Sequence, residues 1–399
     1  MALSRLPFTA TRPLSCTRRH DLRLLPRALP PTLLACESRA AARARHVRSC
    51  RRCFHVAPIL MPPLLFGGLF IALWTWKCMA MVMFQNTIIY NPFLPPNARS
   101  MTIDEYAKEC GGIAWREERT KSLDGTEIAL CVSDVSAPSP TDNGNKTPVY
   151  ILYFQGNASS LPPRLPDLSW ILRRVRDADA SFTLTMVCVS YRGYWTSHDR
   201  PHERGINLDA EAGLRWVTQL HEERFAGVND VKPVVLLWGQ SIGCGFATNL
   251  AAKERRPSDL APDALILETP FTSVRDMLHA LYPQKWLPYQ YLHPFLWNHL
   301  DSWTNLGVIA KRYKTRMPGI YIVEAGKDEL VPADHGDQLF KQCEDVGLPV
   351  ERRKVRGALH NEAMVRKGGR DAIAQSITLA ITRSRAHAPS PGSASHKRE

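Results

Sequence analysis

At 399 residues, with 44% apolar and 22% charged side chains, the chain can bury a large core and is not a disordered polymer. Its net charge of +13 suggests nucleic acid until it is located: residues 1–53 hold twelve Arg and no Lys against Asp21 and Glu37, so 12 − 2 = +10, leaving 13 − 10 = +3 for the rest. A nearly neutral body without a basic stripe excludes a nucleic-acid partner.

The Arg-rich, acid-poor composition of residues 1–55 resembles a mitochondrial transit peptide. A disordered tail, or a misassigned start codon with Met61 as the real initiator, reads equally well. Cys50 and Cys53 form a C-x-x-C without a second pair at zinc-site spacing, and the ten cysteines show no disulfide framework. Residues 56–76 then run 21 positions without a charge, about 31 Å as a helix at ~1.5 Å per residue, enough to cross a hydrocarbon core. Trp74, Trp76 and Lys77 suit a membrane interface, and a second apolar stretch follows, so 56–84 reads as a single transmembrane anchor. With the arginines before it, the N-terminus is expected on the cytosolic or matrix side of an ER or mitochondrial membrane, and the body on the other. Residues 85–111 read as a Pro-containing connector. The segment 135–148 reads as a surface loop whose Asn145-Lys146-Thr147 sequon matters only in a lumenal setting, and 386–399 as a disordered tail.

Between 112 and 385 short β-branched runs alternate with amphipathic stretches. Strands are expected near 114–122, 127–133, 149–154, 184–190, 234–238, 264–267, 319–323 and 350–355. Helices are expected near 158–176, 207–223, 242–254, 333–346 and 361–384. Continuous apolar strands call for cover on both faces, so the order predicts an α/β fold: a mostly parallel, doubly wound sheet opened by an antiparallel hairpin.

One of the expected strand-to-helix joints carries Gly239-Gln240-Ser241-Ile242-Gly243, a G-x-S-x-G. The two glycines permit a sharp reversal that lifts the Ser241 hydroxyl above the sheet and turns the Ile242 N–H toward a developing oxyanion. Serine needs a base to become a nucleophile, and His360 follows the last expected strand. Asp328 follows the strand before that and would orient the imidazole; Asp334, Asp337 and Glu268 are its rivals. The order Ser, Asp, His is that of α/β-hydrolases. The second oxyanion donor is expected after the third strand, where Gly156 allows close approach and the Asn157 N–H is the candidate. An elbow Ser, rather than Asp, disfavours dehalogenase and epoxide hydrolase chemistry. The lack of an H-x-x-x-H pair disfavours a metalloenzyme; neither metal nor cofactor is expected.

Six motifs stand in order: QGNA at 155–158, SYRGY at 190–194, GQSIG at 239–243, ETPFTS at 268–273, GKDELVP at 326–332 and GALHNEA at 357–363. On these the chain resembles the single-pass, abhydrolase-domain branch of α/β-hydrolases, which includes the fungal bud-emergence suppressor-like proteins. Two positions depart from that pattern: Gln155 stands where His is usual, and Trp195 where a small residue is. The resemblance implies altered support of the oxyanion loop at the first and a narrowed pocket at the second. It also implies a substrate that is a lipid-like acyl ester, of monoacylglycerol or lysophospholipid type, or an acyl thioester on a protein or small molecule. The aromatic-rich segment 273–312 is expected to form a small helical lid over an acyl chain, or else to pack on the core. A non-catalytic membrane scaffold is the reading from a different class, and it would be free to lose Ser241, Asp328 or His360. Oligomeric state is not legible in the sequence.

Overall fold

The computed structural model describes residues 58–136, 146–228, 231–254 and 259–386. The Arg-rich leader, Cys50 and Cys53, Asn145 of the sequon and the tail after Ala386 lie outside the described residues. The chain divides into two units, Met1–Met61 and Pro62–Glu399. Of the first, only the short stretch from the 3-10 turn Pro58–Leu60 to Met61 is described.

Helix α1 spans Met61–Met83 and is followed at once by α2, Gln85–Tyr90. The helix lies within the 56–84 stretch expected for the anchor, starting at Met61 and ending at Met83. Pro62 and Pro63 sit in its first turn, where the missing N–H groups cost nothing. Lys77 does not stop it, because a long aliphatic stem can lie along an apolar surface. By length and composition α1 can cross a membrane, and none of its residues is buried in the protein.

Eight strands follow: β1 Arg116–Lys121, β2 Glu127–Ser136, β3 Thr147–Phe154, β4 Phe182–Val189, β5 Val234–Gln240, β6 Ala264–Glu268, β7 Gly319–Ala325 and β8 Val350–Val355. They form one sheet in the order β1-β2-β4-β3-β5-β6-β7-β8. The β1–β2 and β2–β4 pairs are antiparallel and the rest parallel, as the alternation of elements predicts. Helices α3 Leu165–Ala178, α4 Glu203–Arg224, α5 Ile242–Ala252, α6 Val274–Leu281, α7 Ser302–Arg312, α8 Ala333–Asp345 and α9 Lys367–Ala386 complete the fold.

The period-two alternation of a strand sorts side chains between two cores. Tyr150, Leu152 and Phe154 of β3 join Val235 and Leu237 of β5 on the face covered by α4, α5, α7 and α8. Val149, Ile151 and Tyr153 join Val234, Leu236 and Trp238 on the other, under α3 and α9. The edge strands are different: β1 reads REERTK and β8 VERRKV, charges that discourage pairing with another chain. Pro162 and Pro163 delay α3 behind a 3-10 turn, so it begins seven residues later than expected from 158.

Arg192, in the turn after β4, is buried and ties three elements together. Its guanidinium donates to Asp209 of α4 at 2.8 Å and to Asp124 of the β1–β2 turn at 2.7 Å. The Asp209 carboxylate, fully buried, also accepts the Arg192 backbone N–H at 2.9 Å. Removing Arg192 strands the fully buried Asp209 without its cation, whereas removing Asp209 leaves Arg192 paired with Asp124. Arg192→Met should therefore lower unfolding stability by about 3–5 kcal/mol, measured by denaturant titration; a loss within the range of ordinary surface changes, ~0.5 kcal/mol, would contradict the brace.

Candidate active site

The turn from β5 into α5 carries Ser241 at φ +52° and ψ −117°, a conformation that L residues rarely hold. Its neighbours explain how it persists. A Cβ on Gly239 would lie 2.4 Å from the Gly243 carbonyl oxygen, and one on Gly243 would lie 2.1 Å from that of Phe154. Only glycine at both positions lets the helix start so close to the strand ends. The Ser241 N–H is tied to the Glu268 carbonyl at 2.8 Å, which fixes the turn against β6.

His360 lies after β8, in a turn entered through Gly357 at φ +74°. The loop after β7 is stitched to that turn by Gly326 N–H to Val355 O and Lys327 N–H to Ala358 O, both 2.8 Å. The stitching sets Asp328 beside the imidazole. Asp328 Oδ2 lies 2.8 Å from His360 Nδ1, and His360 Nε2 lies 2.9 Å from Ser241 Oγ. The other carboxylate oxygen, Oδ1, accepts the N–H groups of Val331 at 2.8 Å and Leu330 at 2.9 Å. Burial by itself would raise the Asp328 carboxyl, but the bonds from His360 and these two amides outweigh it and hold it below the ordinary range. Asp328 is thus ionised where it faces the imidazole.

The rival carboxylates are otherwise engaged. Asp334 accepts from Gln338 within α8, and Asp337 pairs with Arg352 at 2.6 Å. Glu268 lies fully buried beneath the elbow, accepting from Trp238 Nε1 and Gln240 Nε2, each at 3.2 Å. Gln240 in turn accepts from the Tyr153 hydroxyl at 3.2 Å.

Gly156 and Asn157 follow β3 beside the elbow. A Cβ on Gly156 would stand 3.6 Å from Ser241 Cβ, so the loop crosses close over the serine. Ile242 opens α5, and the first N–H groups of a helix have no partner inside it. Asn157, Ile242, Ser241 and His360 line one cavity of about 390 Å³. Its remaining wall is mostly apolar, drawn from α6 and from Met81, Ile88 and Ile89 of α1 and α2.

The segment 273–312 behaves in two ways. α6 roofs the cavity with Val274, Met277 and Leu278, whereas α7 buries Leu306 and Ile309 in the core against α5. Trp195 departs from expectation. Held at φ +42°, it is buried in the core, donates its indole N–H to Met101 O at 2.7 Å and does not line the cavity. Three contributors carried no signal of their own in the sequence: the Tyr191 hydroxyl, which donates to Gln155 O at 2.8 Å; the two amides on Asp328; and the α1–α2 wall. Tyr191 sits in the SYRGY motif, which marks the position without revealing the partner.

Burial pushes the Glu268 carboxyl up to about 7, against the opposing pull of Arg164 and of its two donors. Between its ordinary range and about 7 the folded chain holds a proton that the unfolded chain releases. That contribution to stability is full below an unfolded value near 4.5 and is lost as pH rises through about 7, on the order of 3 kcal/mol in all. Thermal unfolding of Glu268→Gln should accordingly depend less on pH between 5 and 8 than that of the parent. Parallel Tm curves would show that Glu268 does not titrate in this window.

No family model matches the chain. It is 27% identical over 262 residues to Protein bem46 of Schizosaccharomyces pombe, a match covering 65% of this chain and 75% of that protein. It is 33% identical over 195 residues to the lysophosphatidylserine lipase ABHD12 of Bos taurus, covering 48% of this chain and 44% of the relative. The chain thus spans about half or less of ABHD12. Among solved structures, a fungal esterase from Rhizomucor miehei aligns with a TM-score of 0.49 at 15% identity over 72% of this chain and 90% of its own. An esterase of Pyrococcus furiosus aligns with a TM-score of 0.46 at 13% identity, over 71% and 93%. Its mostly parallel sheet and strand–turn–helix elbow are those of an α/β-hydrolase, and its similarity to Bem46 and ABHD12 supports the Bem46-like branch of that fold.

Proposed function

We propose that this chain is a membrane-anchored serine hydrolase that cleaves a single-chain lipid ester through an acyl-Ser241 intermediate. The observation that carries the reading is the unbroken chain of contacts Asp328–His360–Ser241, at 2.8 and 2.9 Å, on the floor of an apolar cavity. In this reading His360 Nε2 takes the Ser241 proton as Oγ attacks the ester carbonyl. Asp328, held ionised, stabilises the imidazolium through Nδ1. The N–H groups of Asn157 and Ile242 receive the oxyanion, in a site where such donors act far more strongly than in water. The tetrahedral adduct collapses, and His360 gives its proton to the leaving alcohol. Water, deprotonated by the same imidazole, then attacks the acyl carbonyl; the acid departs and Ser241 regains its proton.

The cavity bounds the substrate. At about 390 Å³ it stands near the lower end of ligand pockets, and its walls offer few polar groups away from the serine. It suits one acyl chain, with the alcohol or headgroup left toward the opening. The bovine relative is a lysophosphatidylserine lipase, and lysophosphatidylserine is a single-chain phospholipid of this kind. α1 supplies the anchor.

Full-length protein in detergent should react with a fluorophosphonate probe, and Ser241→Ala should abolish the label. Asp328→Asn, which leaves the imidazole in the wrong tautomer, should lower kcat on a monoacyl ester by roughly 10⁴. A folded parent that takes no label would sink the proposal. The proposed orientation, with the Arg-rich leader on the cytosolic or matrix side, predicts that a C-terminal tag resists protease in intact organelles; digestion of the tag would reverse it.

A further inference from the structure

We infer that the end of the membrane helix is itself part of the acyl-binding site: Met81, Gln85, Ile88 and Ile89 form a wall of the cavity and select for acyl-chain length. The inference rests on the hydrolase reading above and adds to it the route and the ruler for the substrate. These four positions fall at i, i+4, i+7 and i+8, one face of a continuous helix. The boundary between α1 and α2 does not break that face. Phe84 N–H still reaches Ala80 O at 2.9 Å, and Ile88 N–H reaches Phe84 O at 3.0 Å. A helix serving only as a tether would have no reason to present an apolar face to the serine.

The wall is fastened to the stretch between α6 and α7. Gln85, buried, donates to Phe295 O at 3.1 Å and accepts from Trp297 N–H at 2.8 Å, and the Tyr90 hydroxyl donates to Asn298 at 2.7 Å. One to two turns earlier the Lys77 ammonium lies 4.5 Å from the centre of the Tyr289 ring. Earlier still, Trp74 and Trp286 are in ring contact at 6.2 Å. That stretch therefore runs back along α1 toward its apolar span.

Its outer surface fits a bilayer. Trp286, Phe295 and Trp297 are 70, 57 and 60% exposed, next to a helix whose apolar residues before Trp74 are all exposed. Large exposed aromatics with a lysine beside them are the composition of a membrane–water interface. Lys77 marks that interface on α1, and Met81 and Ile88 follow it by about 6 and 17 Å of helix at ~1.5 Å per residue. A lipid whose headgroup stays at that level can slide its chain sideways between α1–α2 and α6, with its ester reaching Ser241.

The test uses the full chain in nanodiscs. A fluorophosphonate with a long alkyl chain bonds Ser241 with loss of fluoride, and a diazirine along that chain is then photolysed. Crosslinks should map to residues 81–89 as well as to α6. In parallel, Ile88→Trp and Met81→Trp should lower the kcat/KM ratio of a C16 to a C4 ester by about tenfold or more, the loss of about two seated methylenes. Crosslinks confined to α6, or a C16:C4 ratio unchanged in both variants that still take the probe, would overturn the wall. Failure of the parent to take any probe would instead fall on the hydrolase reading, so the two failures are separable.

Discussion

The site depends on how closely the start of α5 approaches the end of β3. Phe154 pairs with Gly239 across the parallel β3–β5 ladder, and Gly243 then passes so near the Phe154 carbonyl that no side chain fits between them. That approach forces the chain at Ser241 into its positive-φ corner, at a cost of about 1–3 kcal/mol that the surrounding packing must offset. It also fixes where the loop after β3 can go. Gly156 passes close to the serine, and Asn157 and Ile242 line the same cavity as Ser241. A helix starting one residue later would not meet that loop.

Two carboxyl groups near the elbow show how environment divides like residues between tasks. Asp328 keeps partial contact with solvent and collects three donors, so its charge is retained beside the imidazole. Glu268 sits fully buried at the end of β6 with two longer bonds from neutral donors, and burial raises its carboxyl to about 7. A second full negative charge beneath the elbow would compete for the same imidazolium. Asp328 contacts the imidazole itself at Nδ1, whereas Glu329 accepts only the His360 backbone N–H, at 2.9 Å.

Local patterning carried much of this into the sequence. The central strands were legible because both their faces are buried and they read as continuous apolar runs, unlike the charged edge strands β1 and β8. Ser241, Asp328 and His360 were legible because an elbow, a post-strand acid and a post-strand histidine follow a fixed order. What was not legible depends on contacts between distant segments. Nothing around Gln85 in sequence indicates that its amide will bond Phe295 and Trp297, more than two hundred residues away. The aromatic segment 273–312 looked uniform, yet Leu306 and Ile309 meet α5 whereas Met277 and Leu278 meet a cavity. Composition cannot separate two apolar faces that differ only in what lies opposite. Trp195 failed for a related reason: its side chain follows a left-handed backbone corner that the residue type does not announce.

The loop after β3 is not held by the side chain of Gln155. The side chain is fully buried, and neither of its polar atoms has a hydrogen-bond partner. Such a group costs about 1–3 kcal/mol and cannot be what holds the loop. The main chain does that instead. Gln155 O accepts from the Tyr191 hydroxyl at 2.8 Å, and Tyr191 is itself packed edge-on against Tyr194, whose hydroxyl donates to Tyr90 O. Tyr90 in turn closes α2 and stacks on Phe246 of α5. The support of the loop therefore runs through backbone carbonyls and a tyrosine stack to the end of the anchoring helix, and the identity of side chain 155 drops out of it.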